Sequence, residues 1–101
     1  MEIIQEFSYG RTEFHFDDLP SRADFEYITQ VLIHRFGATK IMAMDGPGAH
    51  ISRFNVDGGT IVFVHDDMVG NFFFTESDVT LQSLIQLAAN LDLALAQVIK
   101  T

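Results

Sequence analysis

Residues 39–75 read TKIMAMDGPGAHISRFNVDGGTIVFVHDDMVGNFFFT, and most of the predicted sheet lies within them. The segment contains four runs rich in β-branched and aromatic residues, separated by three segments of the Gly, Asp and Pro composition typical of turns. Connections this short force neighbouring strands to be antiparallel, because a parallel crossover needs about a dozen residues. A four-stranded meander is therefore predicted, with strands at Thr39–Met44, Ala49–Val56, Thr60–His65 and Asn71–Thr75.

Two further strands are predicted before the meander. Glu2–Tyr9 and Thr12–Phe16 flank Gly10, which can supply the positive φ of a tight turn, so the two runs are expected to form a hairpin. In the second run two phenylalanines alternate with Glu13 and His15. This period of two predicts that the phenylalanines face a core while Glu13 and His15 lie on the other side of the strand.

A helix is predicted between the hairpin and the meander. Ser21 and Asp24 have the spacing of a capping box, and Gly37 is a C-terminal stop. Apolar residues recur every three or four positions between these signals, and Arg35 in the last turn suits the helix dipole. The helix is expected to span Arg22–Phe36.

A second helix is predicted after the meander. Ser77 or Asp78 can cap it, and a wide apolar stripe runs from Leu81 to Ile99. Such a stripe must be covered by the sheet or by a partner subunit. The order ββαββββα predicts one α+β domain over residues 1–101, with an antiparallel sheet of about six strands and two helices packed on one face.

Composition and charge exclude several classes of function. Hydrophobic residues make up 48% of the 101 residues and charged residues 20%, as in globular domains. The absence of cysteine excludes disulfides, thiolate-bound zinc and cysteine nucleophiles. No apolar run is long enough to span a bilayer, and the first residues carry acids where a signal peptide has lysines, so a cytoplasmic location is expected.

The chain is strongly acidic. Fourteen acids against six scattered bases give a net charge of −8, which argues against nucleic acid and anionic membranes as partners. A basic protein would instead be attracted. The alternative interpretation is that the acidity only keeps the protein soluble.

No catalytic, metal or cofactor motif is present. The histidines do not form a pair at a metal-ligand spacing, the glycines match no phosphate-binding loop, and no serine lies in a GxSxG elbow. A site assembled from separate strands stays open as an alternative, with His15 near Asp17 and His65 beside Asp66 and Asp67. The chain is not expected to be an enzyme or to need a cofactor.

The aromatic and acidic residues supply the candidate contacts. Phe72, Phe73 and Phe74 are consecutive, so at least one ring must point away from the main core. The acids concentrate at predicted turns, where they can form a negative rim around an apolar contact. The candidate partner-binding residues are Asp17, Asp18, Asp57, Asp66, Asp67, Glu76 and Asp78.

A small acidic α+β domain with the loop doublets Asp17-Asp18 and Asp66-Asp67 resembles the immunity proteins that bacteria make against toxins of contact-dependent growth inhibition and related systems. The resemblance covers size, charge and element order. It implies a tight complex with a cognate toxin domain, often a basic nuclease, whose cleft is blocked by acidic side chains that mimic phosphate.

Two other functions remain open from the residues alone. The first is a homo-oligomeric structural or adaptor domain that uses Phe72 to Phe74 or the apolar back of the last helix. The second is a small metal- or ligand-binding enzyme built around His15, His50 or His65.

Overall fold

The computed structural model describes residues 3–8, 10–56, 58–75 and 81–99 of the chain. The order of elements along the chain is ββαββββα, and the predicted α+β fold is confirmed. The elements are β1 Ile4–Ser8, β2 Arg11–His15, α1 Arg22–Phe36, β3 Thr39–Gly46, β4 Ala49–Val56, β5 Gly59–Asp66, β6 Gly70–Thr75 and α2 Leu81–Ile99.

The six strands form one antiparallel sheet in the order β1-β2-β6-β5-β4-β3. β3 to β6 make the predicted meander, with β4 and β5 paired along their whole length. The first hairpin joins it through β2, where Phe14 lies opposite Phe73 and His15 opposite Phe72. The sequence left this join open, since it depends on a contact between segments almost sixty residues apart.

Helix α1 begins and ends where the local signals predict. The Ser21 side chain accepts from the Asp24 N–H at 3.0 Å, and the Asp24 carboxylate accepts from the Ser21 N–H at 3.1 Å. Both bonds satisfy backbone donors that the first helical turn leaves without partners. At the other end Gly37 adopts φ 67°, the left-handed conformation that favours glycine, and the Ala38 N–H donates to the Leu32 carbonyl.

Both helices pack against the same face of the sheet and enclose the main core. α1 contributes Phe25, Ile28 and Leu32, and α2 contributes Leu84 and Leu91. The predicted caps Ser77 and Asp78 lie outside the described residues. Among the helices that the structure describes, none is both long and apolar enough to cross a membrane.

The three consecutive phenylalanines divide between the two faces, as their alternation predicts. Phe73 is buried in the main core, where it stacks on Phe14 with ring centroids 5.2 Å apart. Phe72 and Phe74 belong to the opposite face, which we call the open face because its apolar cluster consists of strand residues alone. That cluster contains Val62, Val64 and Phe72, with Ile51 and Phe74 packed against it.

Candidate functional site

Three turns that are distant in sequence meet at one end of the sheet. The Phe16 N–H donates to the Asn71 carbonyl at 2.9 Å, which joins the end of β2 to the start of β6. The Asp67 N–H donates to the Gly48 carbonyl at 2.9 Å, which joins the β5–β6 turn to the β3–β4 turn. We call this region the acidic end, and its carboxylates belong to Asp17, Asp18, Asp45, Asp66 and Asp67.

Four of the seven predicted partner-binding residues therefore come together. Asp17, Asp18, Asp66 and Asp67 share the acidic end, and Asp45 joins them although it was not among the seven. The other three fall on parts of the chain outside the described residues, and their placement stays a prediction. They are Asp57, Glu76 and Asp78.

Two hydrogen bonds hold the segment that carries Asp17 and Asp18 in place. The Leu19 N–H donates to the Phe16 carbonyl at 2.9 Å, and the buried Asn71 amide donates to the Leu19 carbonyl at 2.6 Å. Asp17 and Asp18 themselves are exposed. Within the described residues neither carboxylate has an ion-pair partner, so their charge is directed to solvent.

The β5–β6 turn combines charge with exposed apolar side chains. Asp66 accepts from the N–H groups of Met68 and Val69 at 2.8 and 3.1 Å, an Asx turn that fixes the loop. Met68 is 93% exposed and Val69 56% exposed. The tip therefore presents apolar contact area beside two carboxylates.

His65 lies buried beneath this turn and connects it to β6. Its Nε2 lies 2.9 Å from Asp67 Oδ1, and its Nδ1 lies 2.8 Å from Asn71 Oδ1. Asn71 uses its amide nitrogen to donate to two backbone carbonyls, so its Oδ1 is the acceptor. Both nitrogens of His65 thus lie within hydrogen-bond distance of side-chain oxygens from the two segments that flank it.

His50 lies directly opposite His65 and makes a second set of polar contacts. Its Nδ1 contacts the Asp45 carboxylate, which also lies 3.6 Å from the Arg22 guanidinium. The hydrogen bond from His50, helped by the positive charges of His50 and Arg22, lowers the pKa of Asp45 below its ordinary value. Asp45 therefore keeps its negative charge to lower pH than an isolated aspartate would.

Asp45, His50 and Ser52 have the order of contacts seen in a serine-hydrolase triad, with Ser52 Oγ 3.3 Å from His50 Nε2. Ser52, however, is fully buried beneath the helical layer. A carbonyl substrate cannot reach a hydroxyl in that position without opening the core. The geometry therefore favours a structural role for this relay, with Phe25 packed edge-on against His50 at 5.1 Å.

The three histidines of the alternative enzyme hypothesis do not form one site. His15 lies on the open face, whereas His50 and His65 lie on the face covered by the helices. The proposed contact between His15 and Asp17 is absent from the described contacts, and His15 Nε2 lies instead 3.0 Å from Glu13 Oε1. In the part of the chain that the structure describes, no group of three or more acids and histidines is arranged to hold a metal ion.

Glu13 and His15 lie on the open face, opposite Phe14, as the period of two predicts, but neither side chain is exposed there. Both are buried, at 4% and 5% exposure. Arg11 donates to Glu13 at 2.8 Å, and the His15 ring stacks on Phe72 with centroids 4.8 Å apart. Neighbouring side chains on the open face cover these two residues, which an alternating pattern within one strand cannot reveal.

The pair formed by His50 and His65 could have been found from the β4–β5 hairpin. Val56 pairs with Gly59, so the residues six positions before Val56 and six after Gly59 are also paired. These residues are His50 and His65. The short turn between β4 and β5 thus determines which residues of the two strands face each other. Nothing in the sequence, by contrast, predicts the contact between Asn71 and Leu19.

No protein-family model, curated protein or solved structure matches this chain. The function of the acidic end is therefore inferred from its own side chains and their chemistry.

Proposed function

We propose that the acidic end binds a basic protein and blocks it, as an immunity protein blocks its toxin domain. The observation that carries this proposal is the meeting of three separate turns that bring five carboxylates to one end of the sheet. Turn formation alone explains an Asp in each loop, but it does not require the loops to adjoin. A positively charged partner would meet them as one surface.

Few positive charges offset this surface. Arg22 pairs with Asp45, 3.6 Å away, where α1 begins beside the end of β3. Asp17 and Asp18 remain outside the described ion pairs, within a chain whose net charge is −8. Such a field accelerates encounter with a basic protein and weakens as salt screens it.

Charge speeds the encounter of two proteins, but a tight complex also needs buried apolar contact. The β5–β6 turn can supply that contact. Met68 and Val69 extend from a loop whose backbone is fixed by Asp66. A flexible thioether fills irregular pockets well, and apolar anchors surrounded by polar side chains are the usual arrangement in protein interfaces. We infer that Met68 inserts into the partner while the flanking carboxylates contact basic side chains around it.

A basic nuclease domain is the partner class that fits this surface best. Its cleft is built to hold successive phosphates, and carboxylates presented from adjacent loops can occupy the same positions. Binding there would exclude the nucleic acid. The proposed activity is thus inhibition by occlusion, without any reaction catalysed by this chain.

The test compares two double variants with a charge-matched control. D17N/D18N and D66N/D67N each remove two charges and keep one side-chain oxygen at each position, which is enough to retain the Asx turn at Asp66. E6Q/E26Q removes two charges from exposed positions outside the acidic end. Each tagged full-length protein is immobilised and exposed to proteins of the native host at increasing NaCl.

The proposal expects a basic protein that is captured by the wild type and by E6Q/E26Q, and whose retention falls as NaCl rises. Both acidic-end variants should lose affinity for that purified protein by roughly tenfold or more, because close charge pairs across an interface are strongly coupled. Equal affinity of all four proteins, or affinity that does not depend on salt, would show that the acidic end is not the binding surface. M68A should weaken the same complex at every salt concentration.

A further inference from the structure

The outer edge of the sheet at β3 is long and uncovered. All eight residues of β3 are exposed, and the strand is paired on one side only, with β4. An edge of this kind presents backbone N–H and C=O groups that a further strand can pair with. β3 contains no proline, and its exposed side chains include Ile41, Met42 and Met44.

The pairing with β4 defines which β3 side chains share a face. A register shift between Lys40 and Met42 leaves Ile41 outside the ladder. The residues that then alternate along the strand are Thr39, Lys40, Met42, Ala43, Met44, Asp45 and Gly46. Lys40, Ala43 and Asp45 consequently lie on the helical side, and the two methionines lie on the open face.

The β3 strand is complementary to a second copy of itself that runs in the opposite direction, with Ala43 at the centre. In an antiparallel pair of two β3 strands with a two-fold axis at Ala43, Met42 lies opposite the partner subunit's Met44. Lys40 lies opposite the partner subunit's Asp45, and the symmetry repeats both pairs on the other side of the axis. Residues directly opposite each other on antiparallel strands share a face, and all of these pairs meet that condition.

We propose that the chain forms a homodimer in which two β3 strands pair in this register and join the two six-stranded sheets into one. Opposite charges and apolar side chains that face each other across strands stabilise such pairing. Because every β3 residue is exposed, neither helix obstructs the approach of a second strand. The proposal uses none of Asp17, Asp18, Asp66 and Asp67, and Asp45 is the one acidic-end residue that it shares with the proposed function.

The other edge of the sheet lacks this complementarity. β1 has five residues, and a two-fold axis at its middle residue would bring two Glu6 carboxylates together. Like charges directly opposite each other destabilise a strand pair. The second copy is therefore expected at β3 and not at β1.

The sharpest test uses the absence of cysteine from the chain. Ala43→Cys places one thiol in each subunit at the proposed axis, where opposite α-carbons are about 4.5–5.5 Å apart, within the range of a disulfide. Asn55→Cys places the same thiol at an exposed position of β4. Under mild oxidation A43C should form a disulfide-linked dimer at least about tenfold faster than N55C. Equal rates for the two variants would overturn the proposed register.

Oligomeric state supplies an independent test. Sedimentation equilibrium of the full chain should give twice the 11.4 kDa mass of one chain at micromolar concentrations. Lys40→Glu should raise the dimer dissociation constant roughly tenfold, because it creates two like-charge contacts with Asp45. Arg35→Glu makes the same charge change on exposed α1 and should leave the dimer intact. A wild type that stays monomeric at 100 µM, chosen as roughly a hundredfold above a micromolar dissociation constant, or equal effects of the two variants would refute the dimer.

The outcome can be separated from that of the proposed function. A43C and K40E alter β3 alone, whereas D17N/D18N and D66N/D67N leave it unchanged. Loss of the dimer with retained capture of a basic protein, or the reverse, identifies which of the two surfaces has been assigned wrongly.

Discussion

Both polar atoms of the Asn71 side chain are hydrogen-bonded. Its Oδ1 accepts from His65 at 2.8 Å, and its amide nitrogen donates to the Leu19 and Ser21 carbonyls at 2.6 and 3.0 Å. One buried side chain thus connects β6, the histidine beneath the acidic turn and the entry to α1. Because the residues it connects lie up to 52 positions apart in the chain, Asn71 fixes the position of Asp17 and Asp18 relative to Asp66 and Asp67.

Asn71→Ala is expected to lower the free energy of unfolding by about 3 kcal/mol, because the Leu19 carbonyl and the buried His65 ring each lose a hydrogen-bond partner. Urea unfolding followed by circular dichroism measures this change. Asn55→Ala is the matched control, since Asn55 lies exposed on β4 and should cost less than about 1 kcal/mol. Similar losses in both variants would contradict the connecting role of Asn71.

Asp45 makes the stability of the fold depend on pH. Its pKa is lowered in the folded protein, chiefly by the hydrogen bond from His50, so the folded state favours the ionised carboxylate. The resulting stabilisation is present above the ordinary aspartate pKa of about 3.9 and is lost as the pH falls through the lower folded pKa. Wild type should therefore be more stable than Asp45→Asn near pH 6, and the difference should narrow in acid.

Urea unfolding at a series of pH values from neutral to strongly acidic measures that difference. His50→Phe keeps a ring against Phe25 but removes the hydrogen bond, so it should abolish most of the pH dependence. Arg22→Gln should have the smaller effect, because the charge of Arg22 contributes least to the shift. A difference between wild type and Asp45→Asn that stays constant across the series would be inconsistent with this account.

Phe73 and Phe74 lie on opposite faces of the sheet, so replacing each by alanine should lower the free energy of unfolding by a different amount. Phe73→Ala removes a fully buried ring that stacks on Phe14, and it should cost about 3–5 kcal/mol. Phe74→Ala removes a half-buried ring on the open face, under the Arg11 guanidinium at 3.7 Å, and should cost about 1–2 kcal/mol. Chemical denaturation of the two variants tests the order, and a larger loss at Phe74 would reverse the assignment of faces.

The elements that the sequence predicts well are those with local causes. The capping box at Ser21 and the stop at Gly37 fix α1 to the residue, since each signal acts within one helical turn. The strands of the meander follow from turn residues between them, and their observed ends differ by at most two residues. The division of Phe72 to Phe74 between faces follows from the period of two in a strand.

The candidate site is only partly predictable, because it depends on contacts between distant segments. The acids at turns could be identified, but their meeting at one end required the pairing of β2 with β6. Asp45 is not among the predicted partner-binding residues, since only the fold brings its turn beside Asp67. The burial of Glu13 likewise depends on Arg11 and His15 together with the neighbouring strand.

Glu13 offers the last prediction, on the open face. Its carboxylate accepts from Arg11 at 2.8 and 2.9 Å and lies 3.0 Å from His15 Nε2, while only 4% of the residue is exposed. Removing the Glu13 carboxylate should lower the free energy of unfolding, because Arg11 and His15 then lose an acceptor at a site with little water to replace it. Since Arg11 is more than a third exposed, water offsets part of the loss, and we expect Glu13→Ala to cost about 2 kcal/mol.

Glu13→Gln should cost less than Glu13→Ala, because the amide oxygen still accepts one hydrogen bond. Glu6→Ala removes a carboxylate 3.3 Å from the same His15 nitrogen, but Glu6 is half exposed and its loss should stay below about 1 kcal/mol. Urea unfolding at neutral pH should therefore show the smallest loss of stability for Glu6→Ala, a larger loss for Glu13→Gln and the largest loss for Glu13→Ala. If Glu6→Ala is the most destabilising, His15 depends on the edge strand and not on the buried pair within β2.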